Sequence, residues 1–185
     1  GGGGFKEWVD WSDFGLHPAE EGGEVESTFW FGTRGAGCQC HYDTYGNNFH
    51  AQVYGTKVWR MFPPNGAAAE ALKPTRIPYE ESSVFSSIDV KGAHLAEKFD
   101  GAFCVTLLPG EVLFVPRHWW HDVTTTTEMS VSINTWVDCE GDAEERVKEA
   151  VVRALVCGLM RGEVADRGET SWLNPTESDY GAEFD

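Results

Sequence analysis

The sequence predicts a mainly β domain, a closed or two-sheet barrel followed by one helix. Three observations predict it. Eight short segments rich in β-branched and aromatic residues recur between Gly, Pro and Asn punctuation. At 185 residues, 41% of them hydrophobic and including eight tryptophans and eleven phenylalanines, the chain suits one domain with a real core. Only from Asp142 onward does the apolar spacing turn helical.

In chain order, Gly1 to Gly4 reads as a linker or a scar outside the fold. Residues 5–26 are polar and acidic with aromatic anchors at Trp8, Trp11 and Phe14, which predicts a docked loop. Strands are predicted at 27–33, 38–43, 47–54, 57–62, 102–108, 111–116, 121–126 and 129–137, so a β core spans 5–138. An insertion at about 63–100 interrupts it with Pro63-Pro64-Asn65-Gly66, a short Ala-rich helical turn, Pro74 and Pro78. Long structured loops of this kind often carry function. Segment 139–162 holds a helix that starts at Asp142, with Glu145 as its capping-box partner. Val147, Val151, Ala154, Leu155 and Gly158 form its apolar stripe, which predicts packing on its own barrel. Residues 163–185 are an acidic tail with Trp172-Leu173 as its anchor.

Charge and cysteine usage bound the partners. A net charge of −16, with fourteen basic residues that do not cluster, disfavours nucleic acid; it either steers in a basic peptide or protein surface at low salt or serves solubility alone. No apolar stretch approaches the roughly 20 residues of a membrane span, and no signal peptide is visible. Five cysteines, Cys38, Cys40, Cys104, Cys139 and Cys157, are odd in number and unpaired in pattern, which predicts a reducing, intracellular and cytoplasmic setting.

The chemistry-bearing motif is His41-Tyr42-Asp43, followed 78 residues after the aspartate by His121. Alternate residues of a strand share a face, so His41 and Asp43 can converge on one ion while a distant strand supplies the third ligand. Two histidines and a carboxylate are the facial triad of non-haem Fe(II), which leaves one side of the metal open. With six histidines and thirty acidic residues in the chain, the tripeptide alone is a weak signal, and its surroundings decide. His118 reads as structural, and His17 and His94 lie in loops without a role.

Those surroundings are Phe29-Trp30-Phe31-Gly32, Asn48 to Lys57, Met61-Phe62-Pro63-Pro64, Pro109 to Pro116, Trp119-Trp120-His121 and Val131 to Trp136. In this order and spacing they resemble a JmjC-type cupin of the 2-oxoglutarate-dependent oxygenase superfamily. The likeness is to the small JmjC hydroxylases, among them the asparaginyl hydroxylase of hypoxia-inducible factor. Further runs, Trp11 to Gly15, Thr75 to Ser86 and Trp172 to Glu177, resemble a JmjC subgroup named for association with a small heat-shock protein.

The resemblance implies a double-stranded β-helix, the jelly-roll or cupin barrel, and Fe(II) with 2-oxoglutarate as cofactors. It puts Lys57 against the distal carboxylate of the co-substrate, and Asn48 and Asn134 close to it. Ser130, Ser132 and Asn134 share a strand face, so a polar stripe toward either a ligand or solvent is read from the residues themselves. Two positions depart from the hydroxylase pattern: Cys38 replaces a threonine that bonds the co-substrate, and His50 replaces a phenylalanine beside it. Cys38 and Cys40 are expected to lie near the metal, open to oxidation. The C-terminal helices of such hydroxylases build a dimer, which makes a homodimer the second reading of the helical stripe. The expected activity is hydroxylation of a protein or peptide side chain. The alternatives are an adaptor for a small heat-shock protein, a JmjC demethylase and a cupin that is not an oxygenase.

Overall fold

The strands build two antiparallel sheets, because alternating side chains leave each sheet two surfaces to cover. The computed structural model describes residues 8–18, 23–74, 83–91 and 95–167, without the side chains of residues 153 and 156–167. Its strands are β1 (Thr28–Thr33), β2 (Gly37–Asp43), β3 (Asn47–Tyr54), β4 (Lys57–Phe62), β5 (Ser83–Phe85), β6 (Phe103–Leu107), β7 (Val112–Val115), β8 (Trp120–Thr125) and β9 (Met129–Val137). Helix α1 (Gly66–Leu72) follows β4, and α2 (Asp142–Arg167) follows β9. One sheet runs β1-β9-β3-β7 and the other β5-β2-β8-β4-β6. The eight expected strands stand within one residue of their predicted ends. β5 was not foreseen, since three residues in a proline-broken insertion are too few to display an alternation.

Each sheet has one face inside the barrel and one covered by a separate segment. On β4 the inner residues Lys57, Trp59 and Met61 are all buried, and on β9 Ser130, Ser132 and Asn134 line the interior. The outer face of the first sheet carries Ile133 and Ala51, over which the N-terminal segment lays Trp11. The Trp11 indole donates to Ser27 Oγ at 2.9 Å, so this docked loop is pinned as well as packed. Trp8 and Phe14, expected as anchors beside Trp11, are instead about half exposed. The insertion closes the second sheet: Ala68, Leu72, Val84 and Val90 pack on Cys40, Phe62 and Trp120. Burial of each valine or leucine among them contributes about 1.5–3 kcal/mol. Pro78 and residues 75–77 of the insertion lie outside the described residues, as does the tail after residue 167.

A bulge in β2 corrects the simple alternation. The pairing with β8 runs Cys38 to Val123 and then His41 to His121, with a register shift between. Residues 38 and 41 are three apart, yet both line the interior cavity. Gly37 allows the approach at this point, for a Cβ there would sit 1.8 Å from the Val123 carbonyl oxygen. Backbone cannot yield as a side chain can, so Gly37→Ala is expected to cost about 3 kcal/mol, read as a lowered denaturation midpoint. An unchanged midpoint would show that β2 and β8 are less tightly joined than this contact requires.

The start of α2 is also different from the expectation. No capping box forms with Glu145, because the buried Asp142 carboxylate turns away from its own helix. It accepts hydrogen bonds from Gly46 N at 2.9 Å, Cys139 N at 2.6 Å and Arg117 Nη1 at 2.6 Å. Burial pushes its pKa up, but these donors outweigh burial and hold it below the ordinary carboxylate value. A depressed carboxyl stabilises the fold above its unfolded pKa of about 4 and loses that contribution as pH falls further. Asp142→Asn should therefore cost about 2 kcal/mol at neutral pH and flatten the stability curve below pH about 4.

Val147, Val151 and Leu155 are each 62% exposed, so the apolar stripe of α2 does not pack on the barrel as expected. Gly158 lies outside the described side chains. No helix among the described residues is long and apolar enough to cross a membrane.

Candidate metal centre

His41 stands opposite His121 in the register of β2 and β8, and their ring centroids are 4.3 Å apart. Asp43 follows two residues along β2 and turns to the same side. Its Oδ1 lies 3.8 Å from His41 Nε2 and its Oδ2 3.6 Å from His121 Nε2. One donor atom from each of the three lies within 4.8 Å of the others. Strand alternation brings two of them together, and sheet pairing supplies the third.

The remaining ring nitrogens fix how the ligands face. His41 Nδ1 lies 2.7 Å from the Gln39 carbonyl and His121 Nδ1 2.9 Å from the Trp119 carbonyl. A carbonyl can only accept, so each Nδ1 carries a proton and each Nε2 is turned toward Asp43. Ser83 Oγ donates to Asp43 Oδ1 at 3.2 Å, and Phe85 lies against the His41 ring. Burial, with His41 adding to it, pushes His121 down to about 3, so this imidazole is neutral at working pH. Burial raises the Asp43 pKa, while His41 and Ser83 pull the other way. Two imidazoles and a desolvated carboxylate converging beside a cavity suit an open divalent site of the facial-triad kind. The donor set thus fits iron.

Residues 5–143 match the family model described as a cupin-like domain. The chain belongs to that family. Over 91% of this cupin-like chain, HSPB1-associated protein 1 of Bos taurus is 51% identical, with 34% of that protein covered. Lysine-specific demethylase JMJ30 of Arabidopsis thaliana is 33% identical over 66% of this chain and 28% of its own length. The chain thus spans about a third of the curated relatives it matches. The solved structure of E. coli ycfD shares 18% identity over 72% of this chain and 31% of that one, with a TM-score of 0.42. The two-sheet, mainly β architecture with its C-terminal helix is the jelly-roll cupin barrel.

The cupin cavity holds about 830 Å³ and is lined by the triad together with Cys38, Asn48, His50, Lys57, Trp59 and Asn134. That volume suits a small polar ligand plus part of a larger one. Lys57 is 7% exposed, donates from Nζ to Ser132 Oγ at 2.5 Å and lies 3.5 Å from His50 Nε2. Among the described residues no carboxylate pairs with it. Burial lowers its pKa to about 8, with Cys38 opposing. His50 is held neutral by burial first and then by Lys57 and His121, and it stays outside the group of three metal donors. Asn134 Nδ2 donates to Asn48 Oδ1 at 3.1 Å, so the two asparagines act as one bonded pair.

Other residues enter the site without a sequence signal. The Trp30 indole donates to Asn134 Oδ1 at 2.9 Å and so orients the pair. Ser83 comes from β5, whose place is set by pairing with β2 and by no local pattern. Trp59 is the exception, because strand alternation already places it on one face with Lys57 and Met61.

Two cysteines part company here. Cys38 lines the cavity and burial raises its pKa. Cys40 instead faces the outer core, 1% exposed, with burial pushing its thiol up to about 12. Such a thiol is inert, which corrects the expectation that both lie open to oxidation. The four described cysteines, Cys38, Cys40, Cys104 and Cys139, are free. His118 is structural: its Nε2 donates to the Thr44 carbonyl at 2.9 Å and its backbone adopts a positive φ of 67°.

Proposed function

We propose that this cupin-like chain is the catalytic domain of an Fe(II)- and 2-oxoglutarate-dependent dioxygenase that hydroxylates a protein side chain. The observation that carries this reading is Lys57, a buried cation without a carboxylate partner among the described residues, in the cavity that holds the triad. Leaving a cation so is costly, and a dicarboxylate removes the cost. Iron and co-substrate, when bound, would supply the chemistry with O2 as oxidant: one oxygen atom would enter succinate as 2-oxoglutarate loses CO2, and the other would become the hydroxyl placed on the substrate carbon.

The residues of the chain do the rest. His41, Asp43 and His121 would hold the ion through their converging donor atoms. Lys57 pairs with the distal carboxylate of 2-oxoglutarate, while Asn48, Asn134, Cys38 and the neutral His50 offer polar contacts around it. Trp30, Phe31 and Trp136 wall the mouth against water and orient the peptide. The test is a titration of Fe(II) and then 2-oxoglutarate into the purified protein without oxygen. A weak visible charge-transfer band that depends on both is expected. Tight iron binding without the band would overturn the co-substrate assignment.

The partners are part of the same proposal. The exposed Val147, Val151 and Leu155 face of α2 is assigned to a second copy of the chain. Val151→Glu should then convert a dimer to a monomer in sedimentation, and an unchanged profile would refute it. An adaptor role toward a small heat-shock protein is the second reading, supported by the name of the Bos taurus relative. It leads if such a protein binds while succinate never forms. Demethylation is the third, supported by the name of the Arabidopsis relative. The free cysteines support a reducing, cytoplasmic setting, and the charge of −16 argues against nucleic acid as substrate.

A further inference from the structure

Trp59 holds a buried hydrogen-bond donor with nothing to bond. The residue is 3% exposed, and its Nε1 meets no acceptor among the described residues. Trp11 and Trp30, by contrast, both place their indole N–H on a side-chain oxygen. Buried donors are almost always satisfied, so an indole N–H without a partner at this depth calls for one. The position of the ring says where the partner belongs. Trp59 lines the same cavity as the triad, edge-on to His50 with centroids 4.7 Å apart and tilted on His121 at 5.8 Å. It follows Lys57 by two residues on β4, so the two residues share one strand face and both line the cavity.

We propose that the Trp59 indole N–H donates a hydrogen bond to the dicarboxylate that Lys57 holds, making Trp59 a further co-substrate-binding residue. The identity of that ligand rests on the dioxygenase reading above. Its neighbour His50 completes the wall, because His50 Nε2 faces Lys57 and leaves the indole free for the ligand. The bond adds direction to a contact that a lysine alone makes as a flexible point charge.

The experiment uses protein carrying ¹⁵N only in its tryptophan indoles, loaded with Zn(II) as a diamagnetic occupant of the triad and titrated with 2-oxoglutarate. The resonance missing from Trp59→Phe identifies the indole. Its proton should move downfield and exchange more slowly with water as 2-oxoglutarate binds, an effect read on the wild-type chain whatever the variant does. Calorimetry on Trp59→Phe should give unchanged metal affinity and 2-oxoglutarate affinity weaker by about tenfold, the size of one charge-assisted bond. An unmoved indole proton in a protein that does bind 2-oxoglutarate overturns the role of Trp59 and leaves the dioxygenase reading standing. Full affinity in a folded Trp59→Phe does the same. No 2-oxoglutarate binding at all overturns both.

Discussion

Asp43→Ala and His41→Ala are expected to abolish iron-dependent succinate formation while leaving a folded chain. Each removes one of the three donors found among the described residues, and loss even of a residue that merely supports a ligand costs about 10–100-fold in metal affinity. Asp43 and His41 are partly buried at the cavity wall, and neither belongs to the hydrophobic clusters that hold the sheets together. The fold should therefore survive, and circular dichroism alongside the iron titration checks that it does. Ser83→Ala provides the graded case, because Ser83 Oγ donates to the ligand carboxylate at Asp43 Oδ1 and is not itself one of the three donors. A loss of about tenfold in iron affinity is expected for it. Wild-type turnover in Asp43→Ala would show that the triad is not the metal site.

Lys57→Met is expected to stabilise the ligand-free protein and, in the same molecule, to remove its affinity for 2-oxoglutarate. The buried ammonium has a pKa lowered to about 8 from an ordinary 10.5, chiefly by desolvation. That shift corresponds to a folding penalty of about 3 kcal/mol for the charged form, which methionine of similar length does not carry. The sign follows from proton linkage. Between pH about 8 and about 10.5 the unfolded chain binds the proton and the folded chain does not, so wild-type stability rises with pH across that window. Lys57→Met should lack the rise. A dicarboxylate reverses the preference, for it restores the charged form, takes up a proton above pH about 8 and binds more weakly as pH increases. Thermal melts of both proteins from pH 7 to 10, without ligand, and calorimetry with 2-oxoglutarate in two buffers measure the pair of effects. Equal stability and equal affinity would mean that Lys57 is solvated and plays no part in the cavity.

Much of this molecule is written locally. Alternation of Lys57, Trp59 and Met61 puts one face of β4 inside, and the Ser130, Ser132 and Asn134 stripe of β9 does the same from the other sheet. Where the local pattern misled, a contact from elsewhere had taken over. Asp142 has every attribute of a helix cap, yet its carboxylate is drawn off by Arg117 and by the Gly46 and Cys139 amides. The apolar stripe of α2 is real in sequence, but no part of the described barrel reaches Val147, Val151 or Leu155. β5 exists because β2 offers it an edge, and three residues could not have announced it.

The sequence by itself determined the mainly β class, the strand boundaries and the kinds of donor present, since periodicity and residue chemistry are properties of neighbours along the chain. Tertiary structure alone decided that His121 faces His41, that the bulge turns Cys38 into the cavity while Cys40 goes to the core, and that Lys57 is buried with no carboxylate partner among the described residues. Those facts depend on which strands pair and in what register, and register is settled by the free energy of the assembled sheets, which no single segment contains.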